Sequence, residues 1–259
     1  MSWAIWITGL PGSGKSAIAR AAAERLAALG EPAAVLELDA IRRVLTPAPT
    51  YSEAERDVVY RSLVYMATAL TGAGVPVIID ATAHRREWRD LARASIGDFA
   101  EVQLQCPLEV CRERERSRTS GNAPPQIYAR AGRPAATVPG VDVAYEPPRL
   151  PELVLDTTRA DVPEAAAGVV ALARRFAASA GGARTGARGW VVWITGLPGS
   201  GKTMLASGAL ELLSARGIPA TVLDWTELRH TIVPRAWLSE METEILHRAL
   251  GYTARLLTE

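Results

Sequence analysis

Two hydrophobic periods alternate along the first 178 residues. Short apolar runs, AIWIT (Ala4–Thr8), AAVLEL (Ala33–Leu38), VPVIID (Val75–Asp80), AEVQLQ (Ala100–Gln105) and ELVLD (Glu152–Asp156), predict strands. Between them, apolar positions recur every three or four residues, which predicts helices over Ser16–Leu29, Ser52–Thr71, Arg85–Ile96, Pro107–Arg118 and Pro163–Ala178. Ser52 followed by Glu55 is a capping box at one helix start. Strands that are apolar throughout, alternating with helices, imply a parallel sheet covered on both faces: an α/β fold in three layers, α/β/α. Ligands are then expected at the carboxyl ends of the strands.

The pattern repeats. Shifting the chain by 187 residues aligns Ser2–Gly72 with Gly189–Glu259 without a gap, and 32 of 71 positions are identical. The period is domain-sized, so this is a duplication and not a solenoid. Residues 1–178 are expected to form one complete domain. SAGGARTGAR, residues 179–188, reads as a linker. Residues 189–259 read as a partial second copy of the same fold, with no counterpart of VPVIID or of the later elements.

Composition narrows the class. Hydrophobic residues make up 48% of the 259 and charged residues 22%, enough apolar material for a core. The net charge is only +1, which gives no basic coat for nucleic acid. No apolar run reaches membrane-spanning length, no signal peptide is recognisable, and there are only two cysteines, Cys106 and Cys111, so a cytoplasmic protein without nucleic-acid or membrane partners is expected. Of the 29 basic residues only Lys15 and Lys202 are lysines, and both end an identical decapeptide, WITGLPGSGK.

Gly9-Leu-Pro11-Gly12-Ser13-Gly14-Lys15-Ser16 matches G-x-x-x-x-G-K-[ST], between a predicted strand and a predicted helix. Backbone amides and the helix N-terminus cradle phosphates there, Lys15 reaches the β and γ groups, and the Ser16 hydroxyl ligates Mg²⁺. The chain is therefore expected to bind ATP and Mg²⁺ in a P-loop NTPase fold. Asp39, read as a strand-end carboxylate, is a candidate for the Mg²⁺ shell or for accepting a proton from an attacking hydroxyl. Asp80 ends its strand as a Walker-B acid would. In the arginine-rich stretch Cys111–Arg118, Arg112 and Arg116 share a helix face, as do Arg114 and Arg118, and they are candidates for a lid over the phosphates. Tyr51, in a loop, is a candidate for stacking on a flat ring.

These residues resemble the adenylylsulfate (APS) kinases. The similarity spans Trp3–Thr158: Trp6–Ser16 matches the family's opening motif, Glu37–Arg42 is similar to D-G-D-N-x-R, and Tyr51–Arg56 to F-S-x-x-D-R. Pro107–Cys111, Ala129–Gly132, Pro139–Glu146 and Pro151–Thr157 come next, in family order. The resemblance implies phosphorylation of the 3′-hydroxyl of APS with MgATP, giving PAPS, the sulfate-activation step. It also implies that Asp39 stands at the reacting hydroxyl and metal, that Arg42 and Arg56 hold the phosphosulfate, and that Tyr51 stacks on adenine. Thr82 begins the stretch where the family has S-P-Y-R. Val59, Val138 and Tyr128 depart from the family pattern, and Asp80 lies outside it.

In the second copy Gly196, Gly199, Gly201, Lys202 and Thr203 repeat the phosphate loop, but Thr226 stands for Asp39 and Thr243 for Arg56. This copy is expected to be catalytically inactive alone. A small-molecule acceptor and a homodimer are the expected partners. Two other readings stay open at this point: a P-loop kinase of a different hydroxyl-bearing metabolite, and a non-catalytic nucleotide-binding regulator.

Overall fold

The computed structural model describes residues 2–119, 121, 122, 124, 126–133, 136–177, 189–235 and 237–258. The expected linker 179–188 lies outside them. Five strands, β1 (Trp3–Thr8), β2 (Ala34–Glu37), β3 (Val77–Asp80), β4 (Asp98–Gln105) and β5 (Leu153–Asp156), form one sheet in the order β2-β3-β1-β4-β5. Every neighbouring pair is parallel. Helices α1 (Lys15–Ala28), α2 (Leu38–Leu45), α3 (Glu53–Gly72), α4 (Arg86–Ser95), α5 (Leu108–Arg116) and α6 (Val162–Ala177) connect and cover them. All five predicted strands and all five predicted helices form, within a few residues of their expected ends.

β1 is buried at every position. Its alternate side chains feed two cores, Ala4 and Trp6 into one with α2, α3 and α4, and Trp3, Ile5 and Ile7 into the other with α1 and α6. The central strand therefore ends at the point where connections diverge to the two sides of the sheet, which is where such folds bind ligands. Ser52 caps α3 as its sequence predicts, its hydroxyl accepting from the Glu55 amide at 3.3 Å.

One expectation needs correction. Asp39 does not end a strand: the chain turns at Glu37, and Asp39 and Arg42 lie on α2, a helix the apolar run concealed. Leu38, Ile41 and Leu45 are its buried stripe, which aims Asp39 and Arg42 by helix geometry.

The second copy reproduces the helices and not the sheet. α7 (Lys202–Ala215), α8 (Trp225–Ile232) and α9 (Glu240–Thr258) fall 187 residues after α1, α2 and α3. WVVWIT, the counterpart of β1, forms no strand, and Trp190, Val191, Val192 and Trp193 are exposed. No side chain of α7 is buried. By contrast, α8 and α9 pack on α2 and α3 within the first core. Among the described residues no helix is long and apolar enough to cross a membrane.

Candidate active site

The loop between β1 and α1 takes its shape from glycine. Gly12 and Gly14 have φ of 80° and 99°, in the left-handed region that other residues rarely adopt. Gly12 also lies against α5, where a Cβ would meet the Cys111 carbonyl oxygen at 2.3 Å. No side chain caps α1, which leaves its first amides to an incoming group. The Ser13 hydroxyl is buried without a partner, as suits a donor awaiting an anion. Tyr128 clamps the loop from the far side, its hydroxyl donating to the Pro11 carbonyl at 2.7 Å.

Lys15 folds over its own loop and donates to the carbonyls of Gly9 and Leu10 at 3.1 and 3.0 Å. Burial lowers its pKa, and Asp80 and Asp39 oppose that fall. Burial raises the pKa of Asp39, with Lys15 and Arg42 pulling it back. Asp80 is pushed up to about 6, again chiefly by burial, with Lys15 and the Ser16 side chain opposing the rise. A lysine, a hydroxyl and two carboxylates thus converge at the loop.

Two cavities flank it. One, of about 410 Å³, opens on the β4–β5 side and is lined by Leu10, Gln105, Cys106, Tyr145, Asp156 and Thr158, among others. The other, of about 230 Å³, lies on the α2 side, with Asp39, Arg42, Arg43, Tyr51 and Asn122 in its wall. Tyr51 has φ 56° and its ring lies under two guanidinium groups, Arg42 at 5.3 Å and Arg56 at 5.8 Å. Arg42 is fixed by a buried ion pair with Glu55 at 3.2 Å, and Arg56 donates to Thr137 at 2.6 and 3.0 Å. Both orientations are therefore set by protein groups before any ligand arrives.

Lys15, Ser16, Asp39, Arg42, Tyr51 and Arg56 are thus brought together, with Thr82 two residues beyond β3, where its carbonyl accepts from the Thr8 hydroxyl at 2.6 Å. The arginine lid is different. Arg112 lies over the Tyr128 ring at 5.8 Å, but Arg116 is exposed and pairs with Glu113 at 2.5 Å. Arg114 holds the Thr157 carbonyl at 2.7 Å. It is Arg118 whose charge reaches Lys15 and Asp39. Asn122, bonded to Glu37 at 2.9 Å, enters the site unforeseen, because loop residues carry no periodicity to announce them. In the second copy Lys202 repeats the bonds of Lys15, to Gly196 and Leu197 at 2.9 and 2.8 Å, but Gly196, Gly199 and Gly201 form an exposed loop.

His84, two residues beyond Thr82, is 3% exposed, and its Nδ1 has no partner. Burial and the nearby Arg56 push its pKa down to about 4 from 6.5. A lowered histidine pKa means that the folded state resists protonation, so stability is full above pH 6.5 and falls toward pH 4. Wild type is expected to lose about 2–3 kcal/mol more than His84→Asn across that window, read by denaturant unfolding at each pH. Parallel curves for the two proteins would refute this.

A family model described as adenylylsulphate kinase matches residues 1–156 and again 188–259. The adenylyl-sulfate kinase of Synechococcus sp. strain JA-3-3Ab is 38% identical over 162 residues, covering 62% of this chain and 87% of that protein. The adenylyl-sulfate kinase of Gloeothece citriformis has the same identity and coverage. Among solved structures, the Mycobacterium tuberculosis APS kinase CysC in complex with AMPPNP and APS superposes with a TM-score of 0.58 at 32% identity, covering 67% of this chain and 98% of that one.

Proposed function

Because the chain belongs to the adenylylsulphate kinase family, we propose that its first domain transfers the γ-phosphoryl group of ATP to the 3′-hydroxyl of adenylylsulfate, giving PAPS. The observation that carries this reading is the pair of cavities on opposite sides of one phosphate loop, with a carboxylate, two arginines and an aromatic ring on the α2 side. The larger cavity takes the adenine of ATP. The smaller takes the acceptor, with Tyr51 against its base and Arg42 and Arg56 on its phosphosulfate.

Gly9, Gly12, Ser13, Gly14 and Lys15 hold the triphosphate, and Arg112 and Arg118 approach it from the α5 side. Ser16, Asp80 and Asp39 form an all-oxygen donor set, and both carboxylates act on the neighbouring Lys15. Such a set suits Mg²⁺, which when bound neutralises charge between the β- and γ-phosphates. The acceptor oxygen forms a bond to the γ phosphorus, the bond from that phosphorus to the β–γ bridging oxygen breaks, and ADP leaves. The hydroxyl proton passes to Asp39, whose raised pKa favours its receipt.

The test is coupled ADP release with APS and ATP. Asp39→Asn keeps the side-chain volume and removes the proton acceptor, so kcat is expected to fall by about 10²–10³. No transfer to APS, with ready transfer to another alcohol, would overturn the acceptor assignment. The second loop, Gly196–Thr203, has no carboxylate at the Asp39 position and turns over no substrate.

A further inference from the structure

The packing of the repeat on the first domain is reciprocal. α9 lies on α3, its own counterpart, while α9 also lies on α2 and α8 on α3. The element α2 of one copy thus meets the α3-type helix of the other in both directions. A contact in which element i of one unit meets j of the other, and j meets i, is the signature of a two-fold interface.

The residues agree with the elements. α8 buries Leu228 and Ile232, and α9 buries Ile245, Leu246, Ala249 and Leu250. Their counterparts 187 residues earlier, Ile41, Leu45, Val58, Val59, Ser62 and Leu63, are buried as well. The flanking capping box survives too, since Ser239 accepts from the Glu242 amide at 3.3 Å as Ser52 does from Glu55. Elsewhere α9 has diverged. Tyr60 and Val64, both buried in α3, become His247 and Gly251, both exposed in α9. The repeat has kept the α2–α3 pairing face and lost the side on which Tyr60 stacks on Trp88 of α4 at 4.1 Å. Arg248 adds a polar tie to this joint, donating to the carbonyl of Leu45 at 3.0 Å, at the end of α2.

We propose that α2–α3 is a self-complementary surface fitted to a second copy of itself, and that this chain satisfies it internally, with α8–α9 standing where the α2–α3 pair of another molecule would. The homodimer expected for the chain is, at this face, met within one molecule. Tethering makes the internal contact effectively concentrated, so an external copy does not compete. This inference rests on the repeat and its packing, independently of which acceptor is phosphorylated.

The experiment uses the full chain, wild type and the double variant Leu246→Asp with Leu250→Asp, whose substitutions lie outside the first domain. Amide hydrogen exchange of α2 and α3 is followed across a wide concentration range, with particle mass measured in parallel. In wild type the protection of α2 and α3 is expected to be independent of concentration. In the variant it is lost on dilution and recovers at high concentration as the mass rises about twofold, because two uncovered faces pair. ATP binding by the variant certifies that its first domain is folded. Wild-type protection that falls on dilution would overturn the proposal. So would a variant that binds ATP but remains a single chain, unprotected at every concentration.

Discussion

Replacing Lys15 by alanine is expected to lower kcat/KM by about 10²–10⁴, or roughly 3–5 kcal/mol of transition-state stabilisation, while Lys202→Ala leaves it within about twofold. The two lysines end the same decapeptide and make the same pair of bonds to loop carbonyls. Their surroundings differ. Lys15 is desolvated and faces Asp39 and Asp80, so its charge acts through a poorly screening medium on whatever the loop holds. Lys202 projects from an exposed loop with Thr226 where Asp39 would be. Steady-state ADP release from the two variants measures the contrast. Equal losses would mean that both loops work, and the assignment of a single productive site would fail.

Gly12→Ala is expected to be nearly as damaging, for a different reason. The new methyl group would stand 2.3 Å from the Cys111 carbonyl oxygen and 3.0 Å from its carbon, at a φ of 80°. Both obstacles are backbone, so no side chain can swing aside, and either α5 or the loop must move. Left-handed strain of about 1 kcal/mol and overpacking of about 1–3 kcal/mol act together. A displaced loop also misplaces its amides, so activity falls at least about 10²-fold. Gly199, the equivalent glycine, has φ 78°, but a methyl group added there would meet nothing within 4 Å, so Gly199→Ala carries only the strain. Denaturant unfolding separates the two: a shift of about 2–4 kcal/mol for Gly12→Ala and no more than about 1 for Gly199→Ala. Similar shifts would show that α5 does not press on the loop as described.

Much of this was legible in the residues. β1 and the glycine–lysine loop announced themselves because strand, turn and helix signals coincide within a few residues, and the covered sheet followed from strands apolar on both faces. The acidity of Asp39 marks it in the sequence, but its element is hidden, because Leu36 and Leu38 extend an apolar run across a turn at Glu37 that has no glycine or proline to mark it. Arg118 is legible as part of the arginine-rich stretch, whereas Asn122 escapes because long-range folding of the segment after α5, and no local pattern, carries it to the site. WVVWIT misleads in the opposite sense. Its pattern is as strand-like as that of β1, yet a strand exists only by pairing, and residues 189–259 offer it no partner in the sheet.

The helices of the repeat answer to unequal constraints. α9 is buried along one stripe, and α7 buries nothing. Substitutions on α7 escape the packing filter altogether, whereas those along Ile245, Leu246, Ala249 and Leu250 are read out by the helices that carry Asp39 and Arg56. Drift in this half of the molecule should therefore be uneven on the scale of a single helical turn, and its slow positions should trace the outline of the surface that lies against the other half.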